Sequence, residues 1–234
     1  MRLSSPVKIS VFIFFLLLLS YAAFASYVVI KREKVIAEYY RKSRWDEVQK
    51  QYSRLKKKGH TSLFFGDSIT ANFTRNMPAS DSIVNMGIGG DFTRGLIWRI
   101  DNVIHFQPDN LFIMVGINDL VEKVALSDVE ANYEKIIDRI QAACPNTTIY
   151  VQSTLPTCRL KGTLNSSRTI NIRVHSLNAF LEEMCVKKNI HFINLYPYFA
   201  DENDQLRAEY QLDGVHLSRA GNLVWVEHIK DYLN

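Results

Sequence analysis

Cysteine is scarce in this chain of 234 residues, and its three cysteines, Cys144, Cys158 and Cys185, are widely spaced. Three scattered thiols are too few for a disulfide framework or a zinc site, although one pair could form in an oxidising compartment. Internal repeats and low-complexity segments are also absent. We therefore expect a domain that is held together by an ordinary apolar core.

A basic surface is lacking in most of the chain. The first 60 residues carry 13 of the 28 Lys and Arg and 4 of the 24 Asp and Glu, which leaves 15 basic and 20 acidic residues beyond them. The absence of a basic stripe from that larger part argues against a nucleic-acid partner. The early positive charge is better suited to contact with anionic lipid.

Charge is absent altogether from residues 9–30, a run of 22 mostly apolar residues. A helix of that length measures about 33 Å at about 1.5 Å per residue, enough to cross a membrane. A cleaved signal peptide is the alternative, because Arg2 and Lys8 precede the run and Ala23-Phe24-Ala25 is a small-x-small site. We expect a single-pass membrane anchor with the folded domain on the extracytoplasmic side. A secreted or periplasmic domain and a cytosol-facing domain are the alternatives.

Four segments follow from these patterns: a basic tail (1–8), the anchor or signal segment (9–30), a basic amphipathic helix or linker (31–59) and a folded domain (60–234). The third segment has an apolar stripe at helical spacing, formed by Trp45, Val48, Tyr52 and Leu55. Lys56-Lys57-Lys58-Gly59 is typical of a helix end, so we expect the helix to close there.

Strands and helices alternate from residue 61 onward. The predicted strands are Ser62–Phe65, Ser82–Met86, Leu111–Val115, Thr148–Gln152 and His191–Leu195. The predicted helices are Thr93–Ile104, Asp128–Ala143, Arg168–Val186 and Ser218–Tyr232, and Ser127 with Glu130 predicts a capping box at the start of the second. This alternation indicates an α/β fold, with a parallel sheet covered on both faces and a site at the carboxyl ends of the strands.

Polar clusters follow three of these strands, and a fourth precedes the last helix. They are Gly66-Asp67-Ser68, residues 85–91, Gly116-Ile117-Asn118-Asp119 and Asp213-Gly214-Val215-His216. A serine delivered by a buried strand becomes a nucleophile when a base reaches it and amide donors face the oxygen of its target. Each cluster alone is also compatible with an ordinary turn, but all four are expected at one sheet edge.

Among the six histidines, His216 is the candidate base because Asp213 precedes it by three residues in a turn-prone loop. That spacing lets the carboxylate hold Nδ1 while Nε2 is directed at Ser68. Gly90 and Asn118 are suited to donate a backbone N–H and a side-chain amide to an oxyanion. The alternative interpretations are a tight turn at Gly89-Gly90 and an Asx turn at Asn118-Asp119.

Taken together, Gly66-Asp67-Ser68, Gly90, Gly116-x-Asn118-Asp119 and Asp213-x-x-His216 resemble the four blocks of the SGNH (GDSL) hydrolase family, in the family's order. The second block, Gly87-Ile88-Gly89-Gly90-Asp91 running on to Trp98-Arg99, is especially similar to the catalytic subunits of intracellular platelet-activating-factor acetylhydrolases. The chain has no Gly-x-Ser-x-Gly motif, so the α/β-hydrolase elbow is not its scaffold.

The resemblance implies a flavodoxin-like three-layer sandwich with a five-stranded parallel sheet. It also implies Ser68 as nucleophile, His216 as general base and acid, and Asp213 as its orienting group. The N–H groups of Ser68 and Gly90 and the amide of Asn118 would form the oxyanion hole, and no metal or cofactor is implied. We therefore expect a serine esterase that acts on a small-molecule, glycan or lipid ester. A short-chain acetyl ester is the preferred substrate hypothesis. A lysophospholipase or thioesterase, and an O-acyltransferase with the same triad, are the alternatives.

Overall fold

The computed structural model describes residues 12–28, 45–57, 59–73, 82–158 and 167–233. By its internal contacts the chain forms two units, residues 1–47 and residues 48–234. In the first unit, residues 12–28 form helix α1, and its side chains are exposed. No helix among the described residues is both long and apolar enough to cross a membrane. Residues 9–11 and 29–30 of the predicted span lie outside the described ranges, so the anchor and the cleaved signal stay predictions.

The second unit is built on a five-stranded parallel sheet, which confirms the predicted α/β class. Its strands are β1 (Ser62–Gly66), β2 (Ile83–Gly87), β3 (Asn110–Met114), β4 (Thr148–Gln152) and β5 (His191–Ile193). Their order across the sheet is β2-β1-β3-β4-β5, with all neighbours parallel. This is the strand order of flavodoxin-like sheets, in which successive strands are added first on one side of β1 and then, from β3 onward, on the other, so that the strand order reverses between β1 and β3.

The helices of the described residues that follow α1 are α2 (Trp45–Tyr52), α3 (Ser68–Phe73), α4 (Thr93–Phe106), α5 (Ile117–Val121), α6 (Leu126–Ala143), α7 (Ser167–Lys188), α8 (Tyr196–Phe199) and α9 (Arg219–Ile229). Helices α4, α6, α7 and α9 lie close to the predicted ranges, whereas the short helices α3, α5 and α8 were not predicted from the sequence. Short 3₁₀ turns occupy Ala208–Tyr210 and Lys230–Tyr232. The predicted final helix, Ser218–Tyr232, is therefore α9 followed by one of these turns.

Helices cover both faces of the sheet, as two successive residues of β1 show. Phe64 contacts the rings of Phe73 in α3 and Trp225 in α9, with ring centroids 4.7 and 6.4 Å away. Phe65 instead lies under the guanidinium of Arg99 in α4, 4.3 Å from its ring centroid. Neighbouring residues of a strand point to opposite faces, so α3 and α9 lie on one face and α4 on the other.

Two predicted helix ends are wrong. Helix α6 begins at Leu126 after Ala125, without a side-chain cap, so Ser127 lies inside the first turn and the predicted capping box does not form. Helix α2 ends at Tyr52, several residues before the predicted closure at Lys56–Gly59. The Tyr52 hydroxyl donates to the Gly87 carbonyl oxygen at 3.0 Å, which ties the end of α2 to the end of β2. Residues 31–44 of the predicted helix lie outside the described ranges.

The end of β1 requires glycine because the neighbouring backbone comes too close for a side chain. A Cβ atom at Gly66 would lie well under 3.0 Å from the Met114 carbonyl oxygen and from Thr70 Oγ1. At Gly87, its partner on β2, a Cβ would overlap the backbone of Ala71 in α3. These close approaches bring β1, β2 and β3 together directly before Ser68.

We expect Gly66→Ala to destabilise the fold by about 1–3 kcal/mol or more, because the strand ends must separate to admit the methyl group. Urea denaturation of the purified chain measures the change. Gly89→Ala is the matched control, since a Cβ there meets nothing within 4 Å. Equal stability of the two variants would contradict this account of the strand end.

Candidate active site

Ser68 lies at the carboxyl end of β1, at the start of α3. Asp67 forms the corner between strand and helix, and its Oδ1 accepts a hydrogen bond from the Ile69 N–H at 2.9 Å. The Asp67 carbonyl oxygen accepts from the Ala71 N–H at 2.9 Å. Asp67 is buried, whereas Ser68 is partly exposed. The local turn therefore buries the aspartate and leaves the serine accessible.

His216 reaches Ser68 from a tight loop between the turn at Ala208–Tyr210 and α9. Gly214 adopts a left-handed φ of 98°, and its N–H donates to Gln211 Oε1 at 2.8 Å. The Gly214 carbonyl oxygen accepts from the Cys158 N–H at 2.9 Å. These bonds fix the loop from both sides.

A continuous hydrogen-bond chain joins the three residues predicted as a triad. Asp213 Oδ2 lies 2.7 Å from His216 Nδ1, and His216 Nε2 lies 2.9 Å from Ser68 Oγ. A carboxylate only accepts hydrogen bonds, so this arrangement puts the imidazole proton on Nδ1 and leaves Nε2 to accept from the serine hydroxyl. The pairing is the one that a serine nucleophile needs.

The Asp213 side chain is 54% exposed, yet both of its carboxylate oxygens accept hydrogen bonds. Its Oδ1 accepts from the backbone N–H groups of Val215 and His216, at 3.1 and 2.9 Å. Partial burial alone would raise the pKa of Asp213, but the hydrogen bonds from His216 and Val215 outweigh it and hold that pKa below its usual value. The carboxylate therefore stays ionised beside the imidazole.

Four other histidines have different neighbours. His60 contacts Asn110, His175 contacts Asp204, His191 stacks on Tyr150, and His228 stacks on Tyr198. His105 lies in the last turn of α4 and is exposed. His216, the histidine predicted from the sequence to be the base, is thus the one hydrogen-bonded to Ser68.

The two further residues predicted for an oxyanion hole meet through Asp91. Gly90 sits in a turn with a φ of 70°, and Asp91 follows it directly. Asn118, in the first turn of α5, donates through Nδ2 to the Asp91 carbonyl oxygen at 2.8 Å. An amide nitrogen carries two hydrogens, and this bond uses one of them.

Buried charge behind Ser68 is the main feature that the sequence reasoning missed. Asp67, Asp91, Asp119 and Arg99 are each no more than 1% exposed. The sequence places Arg99 at the end of a block that resembles the family but indicates no role for it. A signal was available, because Arg99 falls on the helix stripe that also carries the buried Leu96, Ile100 and Val103.

Asp119 has a structural partner rather than the simple Asx turn considered from the sequence. Its carboxylate accepts from the Thr93 N–H at 3.0 Å and from Thr93 Oγ1 at 2.8 Å, at the first residue of α4. Burial raises the pKa of Asp119 to about 7, and the Thr93 hydrogen bonds oppose that shift only in part. Burial likewise raises the pKa of Asp67 to about 7, against the hydrogen bond from Ile69.

Within the described ranges, no group of three or more His, Cys, Asp or Glu side chains is arranged to hold a metal ion. Cys144, Cys158 and Cys185 are buried thiols that are not joined in disulfides. Residues 159–166 lie outside the described part of the chain.

A family model described as GDSL-like lipase/acylhydrolase matches residues 64–224, more than half of the chain. The chain belongs to this family. A GDSL-like acylhydrolase of this kind is a carboxylic ester hydrolase, as the sequence predicted. The predicted relationship to platelet-activating-factor acetylhydrolases is also confirmed, at a distance.

Relatives of this GDSL-like hydrolase include subunit alpha1 of platelet-activating factor acetylhydrolase IB from Bos taurus. It is 25% identical over 166 residues, or 68% of each chain. A solved structure from Streptococcus pneumonia, named for platelet activating factor, is 26% identical with a TM-score of 0.75, covering 86% of this chain and 97% of that one. An acetylxylan esterase from Geobacillus stearothermophilus, 19% identical with a TM-score of 0.59 and coverage of 75% and 94%, shares the fold.

The buried carboxyls predict a pH dependence of stability. A carboxyl whose folded-state pKa is raised to about 7 binds a proton more tightly in the folded state, so its contribution to stability is lost as pH rises from about 4 to about 7. The slope is at most about 1.4 kcal/mol per pH unit for one group. We expect Asp119→Asn, which removes this titration, to reduce the loss of unfolding free energy between pH 5 and pH 8.

Urea denaturation at both pH values measures the effect. Asp101→Asn is the matched control, because the Asp101 side chain is 77% exposed and pairs with Arg139 at the surface. An unchanged pH dependence in Asp119→Asn would show that this carboxyl is ionised throughout the range.

Proposed function

We propose that this hydrolase is a serine esterase that cleaves carboxylic esters through a Ser68–His216–Asp213 triad and an acyl-enzyme. The observation that carries the proposal is the pair of hydrogen bonds that runs from Asp213 through His216 to Ser68, 2.7 and 2.9 Å long. An ordinary turn at Ser68 would not require an imidazole from 148 residues further along the chain.

In the first half of the proposed reaction, Ser68 Oγ attacks the ester carbonyl carbon while His216 Nε2 takes the hydroxyl proton. The carbonyl oxygen becomes an oxyanion, to which the N–H groups of Ser68 and Gly90 and the Asn118 amide donate. The bond from carbon to the alcohol oxygen then breaks, and His216 returns its proton to that oxygen. Asp213 holds the imidazole and stabilises its positive charge in between.

In the second half, water replaces the departed alcohol. His216 takes a proton from the water, whose oxygen attacks the acyl carbon, and the same oxyanion donors are used again. Collapse of the intermediate breaks the bond to Ser68 Oγ, which recovers its proton from His216. The products are a carboxylic acid and the free enzyme.

The proposed substrate is a short-chain ester, and the preferred candidate is an acetyl ester of a glycan or lipid. The name of a relative, an acetylhydrolase of platelet-activating factor, supports this choice. A protein that shares the fold is an acetylxylan esterase, so the acetyl group is common to both names.

Hydrolysis of p-nitrophenyl acetate by the purified full chain tests the triad. We expect Ser68→Ala to lower kcat by about 10⁴-fold or more, because the nucleophile is lost while the binding surface remains. Ser176→Ala is the matched control, since its hydroxyl donates to the Ile172 carbonyl oxygen on the exposed face of α7. Undiminished turnover by Ser68→Ala would refute the proposed mechanism.

A substrate series tests the acyl preference. We expect kcat/KM to be highest for acetyl and to fall steadily for butanoyl and decanoyl esters of p-nitrophenol. Acetylated xylooligosaccharide and an acetylated glycerophospholipid then compare the glycan and lipid portions. A preference for decanoyl esters would favour a lysophospholipase or thioesterase, and diversion of the acetyl group to an added sugar would favour an O-acyltransferase.

A further inference from the structure

Arg99 is a buried cation in the second turn of α4, with a side chain that is 0% exposed. Burying a guanidinium carries a large desolvation penalty, which only charged partners and well-formed hydrogen bonds can offset. It stands on the apolar stripe of α4, between Leu96 and Val103, where an aliphatic residue would pack without that penalty. Its contacts therefore have to account for its presence.

The guanidinium of Arg99 donates to three acceptors on different segments. Its Nε donates to Asp91 Oδ2 at 2.7 Å, one terminal nitrogen donates to the Met86 carbonyl oxygen at 2.5 Å, and the other donates to the Gly66 carbonyl oxygen at 2.8 Å. Its plane also lies over the Phe65 ring. A planar fork with fixed donor directions holds three acceptors at once, which the single ammonium of lysine cannot reproduce.

All three acceptors lead to proposed oxyanion donors. Gly66 is the last residue of β1 and precedes Ser68 by two residues. Met86 is the last residue but one of β2, four residues before Gly90. Asp91 follows Gly90 directly, and its carbonyl oxygen accepts from the Asn118 amide at 2.8 Å. One side chain thus contacts the segments that carry the Ser68 N–H and the Gly90 N–H, and it reaches the Asn118 amide through Asp91.

We propose that Arg99 is a positioning residue, which holds Ser68, Gly90 and Asn118 in register as one oxyanion hole by clamping Gly66, Met86 and Asp91. This inference rests on the proposed function and adds a residue that does not touch the substrate. Oxyanion donors stabilise charge only when they are aimed before the reaction, so a loss of register lowers kcat more than it weakens substrate binding.

The surrounding charge supports this role. Asp67, Asp91 and Asp119 are buried together near the strand ends, and burial raises the pKa of Asp67 and Asp119 to about 7. The positive charge of Arg99 lowers the pKa of Asp67 and so opposes the effect of burial. The arginine therefore both fixes the loop that contains Asp91 and limits the electrostatic cost of the carboxyls on which the strand ends depend.

Arg99→Lys tests the proposal, since it keeps the positive charge and removes the fork. We expect kcat for p-nitrophenyl acetate to fall by about 10- to 100-fold, because a displacement of the catalytic groups by about 1 Å lowers the rate by about that factor. KM should change by less than about threefold, because ground-state contacts to the substrate remain. Thermal denaturation and circular dichroism establish that the variant is folded at the assay temperature.

Arg139→Lys is the matched control. Its guanidinium also contacts α4, through Asp101 Oδ1 at 2.6 Å, but it lies at the surface and does not contact the strand ends. We expect its kcat to equal that of the unsubstituted chain. Asn118→Ala provides the scale for complete loss of one donor, about 10²- to 10³-fold in kcat.

Asp91→Asn is the second variant, and it tests the positioning role of Arg99 if Arg99→Lys does not fold. It keeps the size of the side chain and removes the charge that Arg99 Nε binds, so we expect the same selective fall in kcat. Where both single variants fold, the double variant should lose little more than either one, because the two residues act as one unit.

Three results are informative. A fall in kcat with a nearly constant KM in the folded variants supports the positioning role. A folded Arg99→Lys or Asp91→Asn with unchanged kcat overturns it. Ser68→Ala, assayed in parallel, separates this inference from the proposed function. If that variant is inactive while Arg99→Lys is fully active, only the role of Arg99 is refuted, whereas activity in Ser68→Ala refutes the triad itself.

Discussion

The hydrogen bond between Ser68 Oγ and His216 Nε2 joins two segments that lie 148 residues apart in the chain. It can form because parallel strands deliver their following loops to one edge of the sheet, next to the point where the strand order reverses. The close approach at Gly66 brings β1 against β3 and α3. On the other side, Gly214 and Asp213 turn the chain sharply enough to present the imidazole. The candidate site is therefore a consequence of topology, and it depends on glycine at two points: the close backbone approach at Gly66 and the turn at Gly214.

Aspartate has two different roles around this bond. Asp213 is half exposed, accepts three hydrogen bonds from Val215 and His216, and keeps a lowered pKa. Asp67 and Asp119 are buried, have pKa values raised to about 7, and hold the ends of local elements. The same side chain thus serves as a charged partner of histidine where water reaches it. In the interior it is a structural hydrogen-bond acceptor whose ionisation is costly.

Much of the fold and of the candidate site could be predicted from the sequence, because the determining signals are local. Apolar runs ending in Gly-Asp-Ser and Gly-x-Asn-Asp marked strand ends, and the Asp213-x-x-His216 spacing is itself the hydrogen-bonded turn. The contacts of Arg99 could not be predicted, since two of its three acceptors are backbone carbonyls of β1 and β2 that only the folded sheet brings together. The start of α6 was misplaced because Ser127 has good capping chemistry but the helix begins before it. The N–H groups of Asp128 and Val129 both donate to the Ala125 carbonyl oxygen, so the backbone closes the first turn before Ser127 could cap it.

Covalent labelling of the full chain tests the central claim most directly. A fluorophosphonate reacts with an activated serine through attack of the hydroxyl oxygen on phosphorus and departure of fluoride, and peptide mass spectrometry identifies the modified residue. The account predicts an adduct on Ser68, its loss in His216→Ala, and no adduct on the peptide that contains Ser176. An adduct on a different serine, or a folded chain that stays unlabelled, would contradict it.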